Sequence, residues 1–204
     1  MKIENIRFID DDHRPNTQFG NGHRITTLIT AVSDTNLIAD LADLILAKEH
    51  EIIEEYPANS DGGSGLGTNS LTSRFNHYNI FAWKDDCISE LKTVILESYL
   101  ELIKHAGYNT TMPVWINGWA NVLRSSQSFN QHQHNTNPQH SFLSGNICIQ
   151  ASDTCTYYVN PYSNEILNVP NIPGEIVLFQ SFIPHGTSIN VSPAPRITLA
   201  FDFY

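Results

Sequence analysis

The sequence predicts an α+β fold that is mostly β, a jelly-roll core with two N-terminal helices packed on one sheet. Three features carry that expectation. From Pro113 onward, short extended runs alternate with turns at regular intervals. Ahead of them, two long stretches repeat apolar residues at helical spacing. The final run, Arg196 to Tyr204, alternates apolar and polar residues, as a strand lying between two different layers does.

At 204 residues one domain is expected, with residues 1–112 supplying N-terminal strands and supporting helices and residues 113–204 the β core. With 41% hydrophobic and 16% charged residues, the composition is that of a chain able to bury a core. A formal net charge of −10, with no basic run to offset it, disfavours nucleic acid and anionic membranes as partners. A small molecule or a peptide is the substrate class that remains, and a homodimer is left open. Cys87, Cys148 and Cys155 are too few and too irregular for a disulfide framework or a cysteine zinc site, and read as reduced thiols. The opening residues lack an apolar signal core and no apolar run reaches membrane-spanning length, which points to the cytoplasm.

In chain order, Ile3 to Ile9 reads as a short strand, followed by a polar turn and a second strand from Arg24 to Val32. Ser33 to Asn36 offers an N-cap, after which Leu37, Ile38, Leu41, Leu44, Ile45, Ile52 and Ile53 recur at helical spacing up to a break near Pro57. Residues 57 to 70 hold four glycines but no Gly-Lys-Ser/Thr opening a helix, so a mobile connection, able to act as a lid, is expected rather than a phosphate cradle. Asp85 and Asp86 cap a second helix carrying Ile88, Leu91, Val94, Ile95, Leu102 and Ile103, with Gly107 as its stop. Five strands then follow at Val114 to Arg124, Phe142 to Gln150, Thr156 to Val159, Glu175 to Phe179 and Arg196 to Tyr204. The turns between them are rich in Asn, Asp and Pro.

Asn130-Gln131-His132-Gln133-His134 is the stretch that carries chemistry. Side chains alternate faces along an extended chain, so His132 and His134 point the same way and reach one point in space. His185, after the apolar run Glu175 to Phe179, is the candidate third ligand of a metal. On the last strand Ile197, Leu199, Phe201 and Phe203 share one face, which packs on the helices. Arg196, Thr198, Ala200 and Asp202 share the other, looking into the barrel. An arginine there needs an anion. Either a ligand carboxylate, helped by the Thr198 hydroxyl, or a buried structural pair with Asp or Glu would serve.

Together with Ser144-Gly145, the run Pro173 to Phe179, Arg196-Ile197-Thr198 and the strand at Trp119 to Val122, these residues resemble the double-stranded β-helix core of the Fe(II)/2-oxoglutarate-dependent oxygenases. Within that superfamily they are most similar to the prolyl-4-hydroxylase-like branch and to bacterial and phage oxygenases with His-x-His. The resemblance covers residues 115 to 204 well and residues 34 to 107 more loosely. It implies that His132 and His185 are two iron ligands, with His134 standing where an Asp or Glu is usual. It also implies that Arg196 and Thr198 hold the distal carboxylate of 2-oxoglutarate. The activity implied is hydroxylation of an unactivated C–H bond with dioxygen, giving succinate and carbon dioxide.

This chain departs from the pattern at Asn146-Ile147-Cys148, where many relatives carry tyrosines, so Asn121 or Tyr158 becomes the candidate second contact to the cosubstrate. His140 reads as substrate contact or surface. His77, Tyr78 and Asn79 line the mouth of the site or lie in solvent, and Cys148 packs as a small hydrophobe. Two other functions stay open: a cupin-like three-histidine metalloenzyme that does not use 2-oxoglutarate, and a non-catalytic jelly-roll binding module.

Overall fold

The computed structural model describes residues 3–13, 23–107, 113–134 and 141–204. The polar turn after the first strand, the turn at 135–138 and His140 lie outside them.

Nine strands and two helices build the described chain. They are β1 (Glu4–His13), β2 (His23–Ala31), α1 (Thr35–Glu55), α2 (Asp86–Ala106), β3 (Ile116–Leu123), β4 (Leu143–Gln150), β5 (Cys155–Val159), β6 (Ile166–Pro170), β7 (Glu175–Gln180), β8 (His185–Thr187) and β9 (Arg196–Phe203). All pairings are antiparallel. A six-stranded sheet runs β1-β2-β7-β4-β9-β3, and a three-stranded sheet runs β6-β5-β8, the two faces of a jelly roll.

The helices form where local chemistry starts and stops them. Asp34 Oδ1 accepts from the backbone N–H groups of Asn36 and Leu37 at 3.0 and 3.1 Å, satisfying two donors that the first turn of α1 cannot. Asp85 occupies the N-cap of α2, but its side chain makes no capping bond, so Asp86 in the first turn meets the helix dipole instead. Gly107 ends α2 in the left-handed region at φ 76°, where a Cβ is strained, and its N–H reaches back to Ile103 and Lys104.

Two apolar layers result. Leu41, Ile45, Leu91 and Ile95 from the helices share one cluster with Ile147, Ile176, Leu178, Leu199, Phe201 and Phe203 from the large sheet. Each such fully buried side chain stabilises by roughly 1.5–3 kcal/mol relative to exposure. Between the sheets Ile25, Ile29, Tyr158, Val169, Val177, Phe179 and Ile183 form a second, smaller cluster. The alternation read from β9 is realised: its odd residues join the helix-side cluster, and Arg196, Thr198, Ala200 and Asp202 line a cavity on the opposite face.

The glycine-rich stretch is internally bonded. Asp61 accepts from the N–H groups of Gly63 and Gly65, both at 2.9 Å, and Ser64 Oγ donates to Asp61 O at 2.8 Å. Buried Arg74 ties the following turn to the end of α1, donating to Tyr56 O at 2.9 Å, to Ser70 O at 3.2 Å and to Thr68 O. His77, Tyr78 and Asn79 do not line the cavity. Tyr78 Oη accepts from Ala120 N at 2.9 Å, while Asn79 accepts from Gly118 N and donates to Ile116 O, both at 3.0 Å. These side chains cap the free edge of β3. No helix among the described residues is long and apolar enough to cross a membrane.

Candidate metal centre

His132 and His185 are joined by a pair of backbone hydrogen bonds, His132 N to His185 O at 2.9 Å and His185 N to His132 O at 2.8 Å. Such a doubly bonded antiparallel pair sets two residues directly opposite one another and holds both imidazoles at one height. His134 is fixed two residues on, its N–H donating to Ser181 O at 3.0 Å. The imidazole centroids stand 4.4 Å (132 to 185), 5.0 Å (134 to 185) and 5.4 Å (132 to 134) apart. One ligand nitrogen from each lies within 4.8 Å of the others.

What stands behind each ring decides which nitrogen can bind a metal. His132 Nδ1 lies 2.9 Å from Asn130 O, His185 Nδ1 lies 3.0 Å from Ile183 O, and His134 Nδ1 lies 2.7 Å from Asp202 Oδ1. Carbonyl and carboxylate oxygens only accept, so all three Nδ1 atoms carry a proton, and Nε2 is the nitrogen of each ring that can turn to a metal. A metal needs neutral imidazoles. His132 keeps one edge open to solvent, yet desolvation by its surroundings lowers its pKa. Burial together with the neighbouring histidines holds His185 well below the usual range. Trp119, Phe129 and Phe179 surround the rings at centroid distances of 5.4, 6.0 and 4.8 Å.

The imidazoles open onto a cavity of about 430 Å³ walled by β3, β4 and β9, by the small sheet and by the Asp61 to Ser64 loop. Arg196, 2% exposed, lies away from the histidines along β9 and lines the same cavity. Its Nη2 donates to Thr156 Oγ1 at 3.1 Å, and with the Asn171 amide turned to satisfy both its atoms, Nε donates to the Asn171 amide oxygen at 3.1 Å. Among the described residues, Nη1 is buried with no partner. No carboxylate among the described residues pairs with Arg196, and burial lowers its pKa. The alternative of a structural Asp or Glu pair is therefore not what the described chain builds.

The remaining sequence candidates divide. Thr198 and Asn121 both line the cavity, directly opposite one another in the β3–β9 register. Asn121 Oδ1 is taken by the Thr72 hydroxyl at 2.9 Å. Tyr158 is not among the lining residues; its Oη accepts from Asn146 Nδ2 at 2.9 Å, and Asn146 reaches the cavity in its place. Cys148 is buried outside the lining, and burial pushes its thiol up to about 12. Asp202 and Ser144 were given no role from the sequence. Asp202 nonetheless shares the interior face of β9 with Arg196, and an acidic side chain there demands a partner for the same reason the arginine does.

A prolyl-4-hydroxylase from Pseudomonas putida superposes with a TM-score of 0.66 over 87% of this chain and 91% of its own, at 11% identity. The chain has the fold of the 2-oxoglutarate/Fe(II) oxygenases. The same fold is seen in a prolyl hydroxylase from Trichoplax adhaerens solved with a hypoxia inducible factor peptide fragment, with a TM-score of 0.52 over 87% and 83% of the chains at 13% identity. It is seen again in the non-heme alpha-ketoglutarate-dependent epimerase SnoN of nogalamycin biosynthesis, with a TM-score of 0.56 over 87% and 77% at 14% identity. No family model and no curated sequence matches the chain. At these identities the oxygenase fold is what is shared.

Proposed function

We propose that this chain is an Fe(II)- and 2-oxoglutarate-dependent dioxygenase that hydroxylates an unactivated C–H bond of a small-molecule or peptidyl substrate, releasing succinate and carbon dioxide. One observation carries the reading. A single cavity holds three imidazoles with a ligand nitrogen of each within 4.8 Å of the others and a buried guanidinium whose Nη1 has no partner among the described residues.

In this reading His132, His134 and His185 hold the iron. Arg196 Nη1 receives the distal carboxylate of 2-oxoglutarate, which supplies the anion that a buried arginine requires. Thr198 adds a hydroxyl beside it, and Asn121, its oxygen engaged by Thr72, has its amide nitrogen left as a donor. Asn146, held by Tyr158, is a further polar contact in the same wall. The chemistry supplied by iron, 2-oxoglutarate and dioxygen is oxidative decarboxylation coupled to hydroxylation. The chain's own part is to orient these groups and, through Trp119, Phe129 and Phe179, to keep water from the ring faces. The peptide bound by the Trichoplax adhaerens protein and the epimerase activity of SnoN are in keeping with either substrate class. We read residues 1–204 as one domain, acting in the cytoplasm.

The test is succinate formation from 2-oxoglutarate by Fe(II)-loaded protein, which is expected to stop on His132→Ala and on Arg196→Ala. Iron-loaded protein that neither binds nor turns over 2-oxoglutarate counts against the reading. A second reading, a three-histidine metalloenzyme that binds its substrate directly, is favoured by the all-imidazole donor set, which zinc also accepts. Activity that survives Arg196→Ala in the absence of 2-oxoglutarate selects it.

A further inference from the structure

The three histidines are not equivalent. Behind His132 and His185 stand backbone carbonyls, whereas behind His134 stands the carboxylate of Asp202 at 2.7 Å, a distance typical of a charge-assisted bond. Asp202 is 5% exposed, and among the described residues no lysine or arginine bridges to it. Its Oδ1 also lies 2.6 Å from Ser144 Oγ, which lies 2.8 Å from Ser181 Oγ. One hydroxyl proton serves each serine. Ser144 therefore donates to the carboxylate, and Ser181 donates to Ser144. Asp202 comes from β9, Ser144 from β4 and Ser181 from the turn after β7, with the first two opposite one another in the β4–β9 register. Paired strands thus fix the carboxylate independently of the segment that carries His134.

Non-haem iron sites of the facial type bind two histidines and one carboxylate. Here the position usual for the carboxylate holds an imidazole, and a carboxylate sits directly behind that ring. We propose that Asp202 is the positioning residue that makes His134 a metal ligand. It holds the imidazole as the Nδ1–H form with Nε2 turned to the metal, and it returns to the site, one ring further out, the negative charge that direct coordination would supply. The inference rests on the reading of His132, His134 and His185 as a metal site. General experience with carboxylate–histidine–metal arrangements is that losing such a partner costs about 10- to 100-fold in metal affinity.

The experiment uses the full chain with Co(II) as the probe, read by titration and by the visible ligand-field spectrum, with thermal unfolding of the metal-free protein as a control for folding. Asp202→Asn, close in volume, is expected to weaken Co(II) binding about 10- to 100-fold and to shift the spectrum. In a His134→Ala background the same substitution is expected to change neither, because no imidazole is left to orient. Equal affinity and an unchanged spectrum in Asp202→Asn overturn the inference. So does an equal loss in both backgrounds, which marks a role in the fold alone. If Asp202→Asn does not fold, Asp202→Glu takes its place: weaker Co(II) binding with a shifted spectrum in that variant supports the inference, and unchanged affinity and spectrum overturn it. Wild-type protein that binds no Co(II) overturns the metal reading itself, an outcome visible before any variant is made.

Discussion

Arg196 donates from Nη2 to the Thr156 hydroxyl at 3.1 Å and keeps Nη1 buried with no acceptor among the described residues. An unmet buried donor costs about 1–3 kcal/mol, more when charged. Arg196→Met is therefore expected to raise the stability of the ligand-free protein by about 1 kcal/mol or more. The same change is expected to abolish 2-oxoglutarate binding. Urea unfolding and anaerobic calorimetry measure the two effects, and a destabilised variant contradicts the claim that Nη1 is kept for a ligand.

Metal binding by the three histidines is expected to stabilise the fold by mass action. At a free metal concentration of 100 times Kd the gain is about 2.7 kcal/mol. Thermal unfolding with Zn(II) or Fe(II), then with a chelator, measures it. His185→Ala, which removes the most deeply buried of the three ligands, is expected to erase the shift.

Gly145 stands between Leu178 and Phe201, its register partners on β7 and β9. A Cβ there meets Leu178 Cδ2 and Phe201 Cε2, both at 2.5 Å, so neither ring nor branch can stay where it packs. Gly145→Ala is expected to cost about 1–3 kcal/mol by overpacking, read as a lower urea midpoint.

Asp10 fastens β1 to β2 and α2, accepting from Arg24 Nη2 at 2.6 Å and from the Thr26 hydroxyl at 2.7 Å, with His105 Nε2 at 2.8 Å. Partial burial pushes its carboxyl pKa up, but Thr26, Arg24 and His105 more than offset this and bring it from 3.8 to about 2. Between those values the unfolded chain binds more protons than the folded one, so this stabilisation is present above pH 3.8 and is lost as pH falls toward 2. Asp10→Asn is expected to lower stability at neutral pH and to flatten the acid limb. Urea midpoints between pH 2 and pH 7 test the crossover.

What the sequence discloses depends on how local the cause is. The β9 alternation is legible because eight consecutive residues serve two different layers. The helix starts and stops lie in Asp34 and Gly107, within a turn of the segments they bound. Strands β6 and β8 escape notice: β6 ends on Pro170 with mostly exposed residues, and β8 has only three residues. Of the site, His132 and His134 announce themselves by spacing, Arg196 by the parity of β9 and His185 by following an apolar run, while the resemblance supplies their roles. Asp202 is separated from His134 by 68 positions, and the two meet only in the fold, where His134 N bonds Ser181 O and Asp202 stands opposite Ser144. Tyr78 and Asn79, which the sequence leaves between the mouth of the site and solvent, serve β3 instead, because an edge strand leaves backbone groups that some side chain has to meet.

That capping reaches beyond the monomer. The large sheet has two edges. On β3, the residues 78 and 79 occupy backbone groups that a foreign strand would pair with. Strand-to-strand recruitment is disfavoured at this edge, so self-association that extends the sheet through β3, whether a dimer or a fibril, first has to strip Asn79 and Tyr78 from it.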